Sequence, residues 1–578
     1  MRPWTHQTNA RRRRVSAASS GDPARWASRM ESRRCRAATC RSVVWKDAMP
    51  RARAATEASR RSPPSRACRS TPAATPIRRA GSDSASRSSS APGSEGLRLT
   101  HGSVPRNRPR VMYQSGDCPL CFSARATREP KEAAMADDKV VRRRIEAFFS
   151  DQIVIDPKDV RQVGQELDAL KIKMVPLQSS LRLGLHLYQL GDLADGVRLL
   201  DHGLVERVKR AAVGTYMEGE EPSALDLALF HLREKSAAEH AGYRPVVAKN
   251  RVYENIEGSP YSGGSVGDPR PAPAFALPAR SHSTRRRPRI GILDTPMHAH
   301  PRFAGRYVTD SDDALLEERQ DRVSFSGHAI FVASVAAQQA PDAEFVIYPV
   351  LNPDRLTTSS WRLATTMAGA MDDDLDMMIM ALGGATADGR EPLALARACE
   401  RTSGVVKVAA LGNNGRNEAG APPDVQVSEL PPNIPMWPAA SSTVIAVGAR
   451  NAHDVFPAYF SPTQAQAPWV DCTAPGQNLR GLFLSGHVWM AELNVLEGVV
   501  ERTDRSDYFP SPGYATWSGS SFSAAYAGGA MAQRAYTQGI SVQEVADRLF
   551  REEPGSTPTT YDHAPSAGID GIDVIRFQ

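Results

Sequence analysis

Four side chains in the second half of the chain have the types that nucleophilic acyl chemistry needs. Asp294 closes the apolar run Ile290-Gly-Ile-Leu293, and an acid at the end of a buried strand can orient a histidine. His328 precedes an apolar segment in Ser326-Gly-His-Ala-Ile-Phe-Val-Ala-Ser-Val335, which suits a helix that presents it from its first turn. Asn413 lies in Val408-Ala-Ala-Leu-Gly-Asn-Asn-Gly415, where its amide N–H can face a developing oxyanion. Ser521 lies in Ser518-Gly-Ser-Ser-Phe-Ser-Ala-Ala-Tyr-Ala-Gly-Gly529, at the start of a helix whose small residues permit close packing. Taken singly, each has a bland reading: a turn aspartate, a capping or packed histidine, a turn asparagine, a tight Ser/Gly turn. Taken together, they put an acid, a base, an amide donor and a nucleophile at the ends of successive elements.

Those elements show in the apolar pattern. Ile290–Leu293, Ala343–Tyr348, Met377–Ala381, Val405–Ala409 and Thr443–Val447 are short, almost continuous apolar runs separated by helical segments. Such runs mark strands buried on both faces, and alternation with helices marks βαβ units and a parallel sheet. The spacing predicts an α/β domain over 289–550. Polar residues at strand ends are informative in such a domain, because ligands bind outside the carboxyl ends of its strands.

The order Asp…His…Asn…Ser and the flanking residues resemble the subtilisin-like (S8) serine peptidases. Arg289-Ile-Gly-Ile-Leu-Asp-Thr295 is similar to that family's aspartate motif, Gly327-His-x-x-x-Val-Ala333 to its histidine motif, and Gly519-Ser-Ser-Phe-Ser-Ala524 to its nucleophile motif. Ala410-Leu-Gly-Asn-Asn-Gly415 resembles the oxyanion motif, and Ala381-Leu-Gly-Gly384 the strand that holds the substrate main chain. Trp437-Pro-Ala-Ala, Val444–Ala449, Phe460-Ser461 and Ala474-Pro-Gly476 match further landmarks, so the resemblance covers about residues 286–550. Departures mark a divergent branch: Pro296 after Asp-Thr, Ala329-Ile330-Phe331 after the histidine, Ser520 before the nucleophile, and Ala525 in its helix.

The resemblance implies a serine endopeptidase working through an acyl-enzyme. Ser521 would attack, His328 would move the proton, Asp294 would hold the imidazole, and Asn413 with the Ser521 N–H would stabilise the oxyanion. Leu382, Gly383 and Gly384 would pair with an extended polypeptide substrate. The competing reading is a retired or latent peptidase fold that serves as a binding module. Calcium is common in the family, and the Asp372-Asp373-Asp374 and Asp376 cluster is the place to look; a helix cap is the simpler reading, and calcium is left unassigned.

The rest of the chain divides by composition. Residues 1–134 hold 28 Lys and Arg against 9 Asp and Glu, whereas residues 135–578 hold 43 against 55. The overall charge of +7 thus averages two unlike parts, and no nucleic-acid partner is inferred from it. The Arg/Ser/Ala-rich segment 1–134 lacks the apolar content to offset chain entropy and reads as disordered; the alternative is that it is not natively translated and that the protein starts at Met135. Its Cys118-x-x-Cys121 lacks a second ligand pair at zinc spacing, so no metal site is assigned. Residues 135–245 are expected to form a mostly helical domain, with helices over Val140–Phe149, Pro157–Leu170 and Ala224–His240, and a further packed helical run from Leu181. That domain is either an inhibitory pro-segment or a module for a protein partner. Residues 246–288 read as a Gly/Pro/Arg-rich linker, with Arg285-Arg-Arg-Pro-Arg289 a candidate processing site, and 551–578 as a C-terminal tail. No apolar run reaches the roughly 18–20 residues of a membrane span. Seven cysteines, only Cys399 and Cys472 of them beyond Met135, do not make a disulfide scaffold. With no secretory signal visible, a cytoplasmic enzyme is the expectation.

Overall fold

The computed structural model describes residues 139–550, apart from 144, 202, 212–219, 256–266, 310–313, 317–321, 353–355, 416–429, 452–456 and 495–498. The segment expected to be disordered, the Met135 start, the Cys118/Cys121 pair and the tail 551–578 lie outside the described residues.

All five apolar runs are strands of one parallel sheet. β7 (Arg289–Asp294), β9 (Glu344–Pro349), β11 (Met377–Met380), β13 (Val406–Ala410) and β15 (Ile445–Asn451) are joined by β8 (Tyr307–Val308) and β16 (Cys472–Gln477), in the order β16-β15-β13-β11-β7-β9-β8. Every neighbouring pair runs parallel. The chain goes from β7 to β9 on one side and then crosses back to β11 on the other. That reversal opens a crevice at the carboxyl ends of the strands, where Asp294 ends β7 and Asn413 follows β13.

Two helices fill the space beside this sheet, α5 (His328–Gln339) and α8 (Ser520–Gln538). Ten of the twelve residues of α5 are buried, so it is a core helix rather than an amphipathic surface one. Small residues let α8 approach closely: a Cβ on Gly529 would stand 2.4 Å from the Ala336 carbonyl oxygen of α5. Phe331 fills the volume between the helices, fully buried with its ring 4.4 Å from that of Phe522. Burial of such a ring stabilises by about 1.5–3 kcal/mol. Around this frame are β6 (Arg270–Pro271), β10 (Thr357–Ser359), α6 (Ser360–Gly369), β12 (Leu382–Ala385), α7 (Leu393–Arg401), β14 (Met436–Trp437), β17 (Leu479–Leu482), β20 (Tyr514–Trp517) and α9 (Val542–Phe550). A long antiparallel hairpin, β18 (Gly486–Asn494) and β19 (Val499–Phe509), connects β17 to β20 along the chain.

The region before the linker is not mostly helical. It holds β1 (Val140–Arg142), β2 (Ala147–Ile155), α1 (Val160–Ala169), β3 (Lys173–Ser180), β4 (Leu185–Gly191), α2 (Leu193–Val197), α3 (Leu204–Ala211) and α4 (Ala224–Glu239). The helices over Pro157–Leu170 and Ala224–His240 are found, but Val140–Arg142 and Ala147–Phe149 are strand, and the run from Leu181 is a strand over Leu185–Gly191 before it turns helical in α2 and α3. The reason is visible in β4: Leu185, Leu187 and Leu190 are buried while His186, Tyr188 and Gln189 are half-exposed, close to the period of two that a one-sided sheet requires.

The linker also begins later than its composition suggests. Val247–Asn255 is a strand, β5, paired antiparallel with β2. Further on, Arg270 and Pro271 pair with β20. The basic cluster is anchored rather than free: Arg286 binds Asp374 and Asp376, Arg289 pairs with Glu344 at 3.0 Å, and Arg285 bonds the Tyr536 carbonyl. Among the described residues no helix is long and apolar enough to cross a membrane.

Candidate active site

The sheet and the two helices bring Asp294 and His328 into contact. The Asp294 backbone is fixed first, since its carbonyl accepts from the N–H groups of Val350 at 2.9 Å and Leu351 at 3.1 Å. Its carboxylate accepts from the Thr295 N–H at 2.7 Å, and each of its oxygens stands 2.9 Å from His328 Nδ1. An ionised carboxylate only accepts, so Nδ1 carries the hydrogen and Nε2 is left to serve as base. Both side chains are fully buried. The imidazole lies edge-on to Trp517, centroids 5.7 Å apart, and beside Phe522 at 5.6 Å. Gly327 lets Phe483 reach this ring system, because a Cβ there would stand 2.3 Å from the Phe483 ring. Nε2 has no hydrogen-bond partner among the described residues.

Ser521 is the second residue of α8 and is fully buried. Its hydroxyl donates to the Ala381 carbonyl at 3.2 Å, not to His328. Asn413 is placed beside it by a backbone contact: Ser520 N–H donates to Asn413 Oδ1 at 2.9 Å. The Ser520 hydroxyl accepts from the Gly412 N–H at 3.2 Å, tying the turn after β13 to the start of α8. Gly412 sits at φ +124°, which a side chain would strain. The hydroxyl of Ser520 therefore makes a structural hydrogen bond.

Leu382, Gly383 and Gly384 form β12, as the sequence suggests, but this strand is already paired. Gly384 and Ala385 face Trp437 and Met436 of β14. Leu382 and Gly383 face Asn255 and Glu254 of β5. On its other edge β5 pairs with β10, where Thr357, Thr358 and Ser359 face Glu254, Tyr253 and Val252. The end of β5 thus runs between two strands beside Ser521. Neither β10 nor the Ala381 carbonyl was expected as part of the site. The β-branched Thr357-Thr358 pair ahead of the Ser359 cap was the signal available for β10.

The carboxylates of the acidic stretch are engaged with partners. Asp372 pairs with Arg182, Asp373 accepts from the Tyr348 hydroxyl, and Asp374 and Asp376 are held by Arg286. Among the described residues no group of three or more His, Cys, Asp or Glu side chains is gathered for a metal. Cys399 and Cys472 are both buried, and burial pushes the Cys399 thiol up to about 12.

Residues 285–563 match the family model described as the subtilase family, Peptidase S8. Solved structures similar to the chain include fervidolysin from Fervidobacterium pennivorans, a keratinolytic enzyme related to subtilisin, at 16% identity and TM-score 0.40, over 67% of this chain and 55% of that one. The prenylagaramide maturation protease PagA is 22% identical at TM-score 0.32, over 44% of this chain and 80% of that one. A lanthipeptide protease is 20% identical at TM-score 0.34, over 45% and 77%. No curated protein sequence matches the chain.

Proposed function

We propose, from the premise that residues 285–563 belong to the subtilase family and are those of a serine peptidase, that the chain is an endopeptidase with Asp294, His328 and Ser521 as its triad. The buried two-oxygen contact between Asp294 and His328 Nδ1, with Ser521 starting the neighbouring helix, is the observation that carries this reading. Rotation of the Ser521 side chain away from the Ala381 carbonyl turns its hydroxyl toward Nε2. Catalytic hydrogen bonds are commonly incomplete before substrate binds. His328 takes the hydroxyl proton as Oγ attacks the scissile carbonyl. It then gives that proton to the leaving amine, and Asp294 stabilises the imidazolium between the two steps. The Asn413 amide, held by its oxygen to Ser520 N–H, directs its NH2 end at the oxyanion together with the Ser521 N–H. A polypeptide substrate adds as a strand along β12 through Leu382, Gly383 and Gly384. A retired fold is disfavoured because all four residue types are present in the chain.

A second reading concerns residues 139–255. The pairing of β5 with both β10 and β12 favours a pro-segment over a recruitment module, because it fills the place where a substrate strand would add. The domain is also clamped to the helices behind that place. Arg251 N–H donates to Ser360 Oγ at 3.0 Å, Ser360 Oγ and Trp361 N–H donate to Asn250, and Arg397 pairs with Asp156 at 3.1 Å.

One incubation tests both readings. The full chain should cut an unfolded protein internally and cut itself within 246–288, read by intact mass, and Ser521→Ala should do neither. Terminal trimming alone would overturn the endopeptidase reading. An intact yet fully active chain would overturn the pro-segment.

A further inference from the structure

We propose, resting on the peptidase reading and the triad above, that the segment Gly267–Ala272 stays on the peptidase part after self-cleavage and disfavours substrates with a long chain beyond the scissile bond.

The segment lies along β20, which leads directly to the nucleophile: Trp517 closes the strand and Ser521 follows four residues later. The Trp517 ring stands edge-on to His328, the residue that hands its proton to the leaving amine. β20 therefore borders the side by which the leaving peptide departs, as β12 borders the side of the acyl group. That border is already occupied. Arg270 and Pro271 face Thr516 and Ala515, and the Ala272 N–H donates to the Tyr514 carbonyl at 3.0 Å. Trp517 Nε1 donates to the Gly267 carbonyl at 3.1 Å. Carried back in register, Asp268 comes level with Ser518, and Arg505 of the hairpin strand β19 binds its carboxylate.

The sequence of the segment closes its outer edge as well. Asp268-Pro-Arg-Pro-Ala-Pro273 has a proline at every second position. Successive residues of a strand turn their backbone groups to opposite edges. Ala272 turns its N–H to β20, so Pro269, Pro271 and Pro273 fall where the N–H would face outward, and they have none. β6 is the edge of its three-stranded sheet, and a peptide arriving there finds no N–H donors in that row. A long leaving peptide must therefore lift the segment off β20 to pair, whereas a short one need not, and internal cuts carry that cost.

The segment is tied down on the peptidase side. The Phe275 ring packs on Tyr514, centroids 5.4 Å apart. Arg280 donates to the carbonyls of Gly305 at 2.7 Å and Ala343 at 2.8 Å, and the Ser281 N–H donates to Asp342 at 2.7 Å. Self-cleavage on the N-terminal side of Gly267 then frees β5 to leave while this second occupant remains.

The test uses the self-cleaved full chain and two peptides identical up to the scissile bond, one with a single residue beyond it and one with five. The readout is the ratio of kcat/KM, extended over short. Asp268→Lys, which sets like charges against each other, should raise that ratio about two- to five-fold, and Asp268→Arg with Arg505→Asp should return it to the unaltered value. Arg505→Ala, on an exposed part of the hairpin, should raise it too and keeps the comparison open if Asp268→Lys does not fold. The mass of the mature chain should show that it retains Gly267–Ala272. A ratio unmoved by Asp268→Lys and Arg505→Ala, or a mature chain that begins after Ala272, overturns the role of the segment and leaves the peptidase reading standing. Hydrolysis of neither peptide by the unaltered chain overturns the peptidase reading, and the role of the segment with it.

Discussion

Asn413 is held by a main-chain contact, the 2.9 Å bond from Ser520 N–H to its side-chain oxygen. That bond points the amide the right way round and requires no charge, so Asn413→Ala should fold and bind substrate while losing its contribution to the oxyanion. We expect kcat to fall by about 10²–10³ with KM little changed, measured on the self-cleaved enzyme. A KM rise at constant kcat would place Asn413 in binding instead. At this scale the sequence was informative about residue types, since acid, base, amide and nucleophile stand in recognisable flanks. It was silent on orientation. Nothing in Gly519-Ser-Ser-Phe522 tells that the Ser521 hydroxyl rests on Ala381, or that Ser520 uses its own hydroxyl to hold Gly412.

The element on which the proposed pro-segment role turns is β5, which lies among buried charge. Lys249 of β5 contacts Glu146 at 2.8 Å and Asp226 at 2.5 Å, Arg143 contacts Asp226 at 2.7 Å, and Arg251 joins Glu146 to Asp388. Burial would raise the Asp226 carboxyl, but the charges of Lys249 and Arg143 outweigh it and hold it down at about 2, below the ordinary 3.8. Because the folded value is the lower one, this stabilisation is complete above pH 3.8 and is lost as the pH falls through 2. It is worth about 2 kcal/mol. Hydrogen-exchange protection of the Val247–Asn255 amides should therefore fall between those two values, and Asp226→Asn should flatten that fall. An identical fall in the variant would assign the acid sensitivity elsewhere. The parallel strands were legible as uninterrupted apolar runs, Met377–Met380 above all. β5 was not, because Lys249, Asn250 and Arg251 interrupt its apolar pattern. Their polar groups are satisfied largely by partners far away in sequence, such as Glu146, Gln152 and Ser360.

At the scale of the whole molecule, one eight-stranded sheet joins the N-terminal strands to β10, β12 and β14 of the peptidase part. Arg182 reaches from the first part to the Ala368 carbonyl and Asp372, so the acidic stretch that invited a calcium ion is a docking point for arginine. The measurement that tests the central claim most directly is the intact mass of the full chain after fluorophosphonate treatment. The account predicts a single adduct at Ser521, missing from Ser521→Ala. An adduct that survives Ser521→Ala, or none in the unaltered chain, would contradict it.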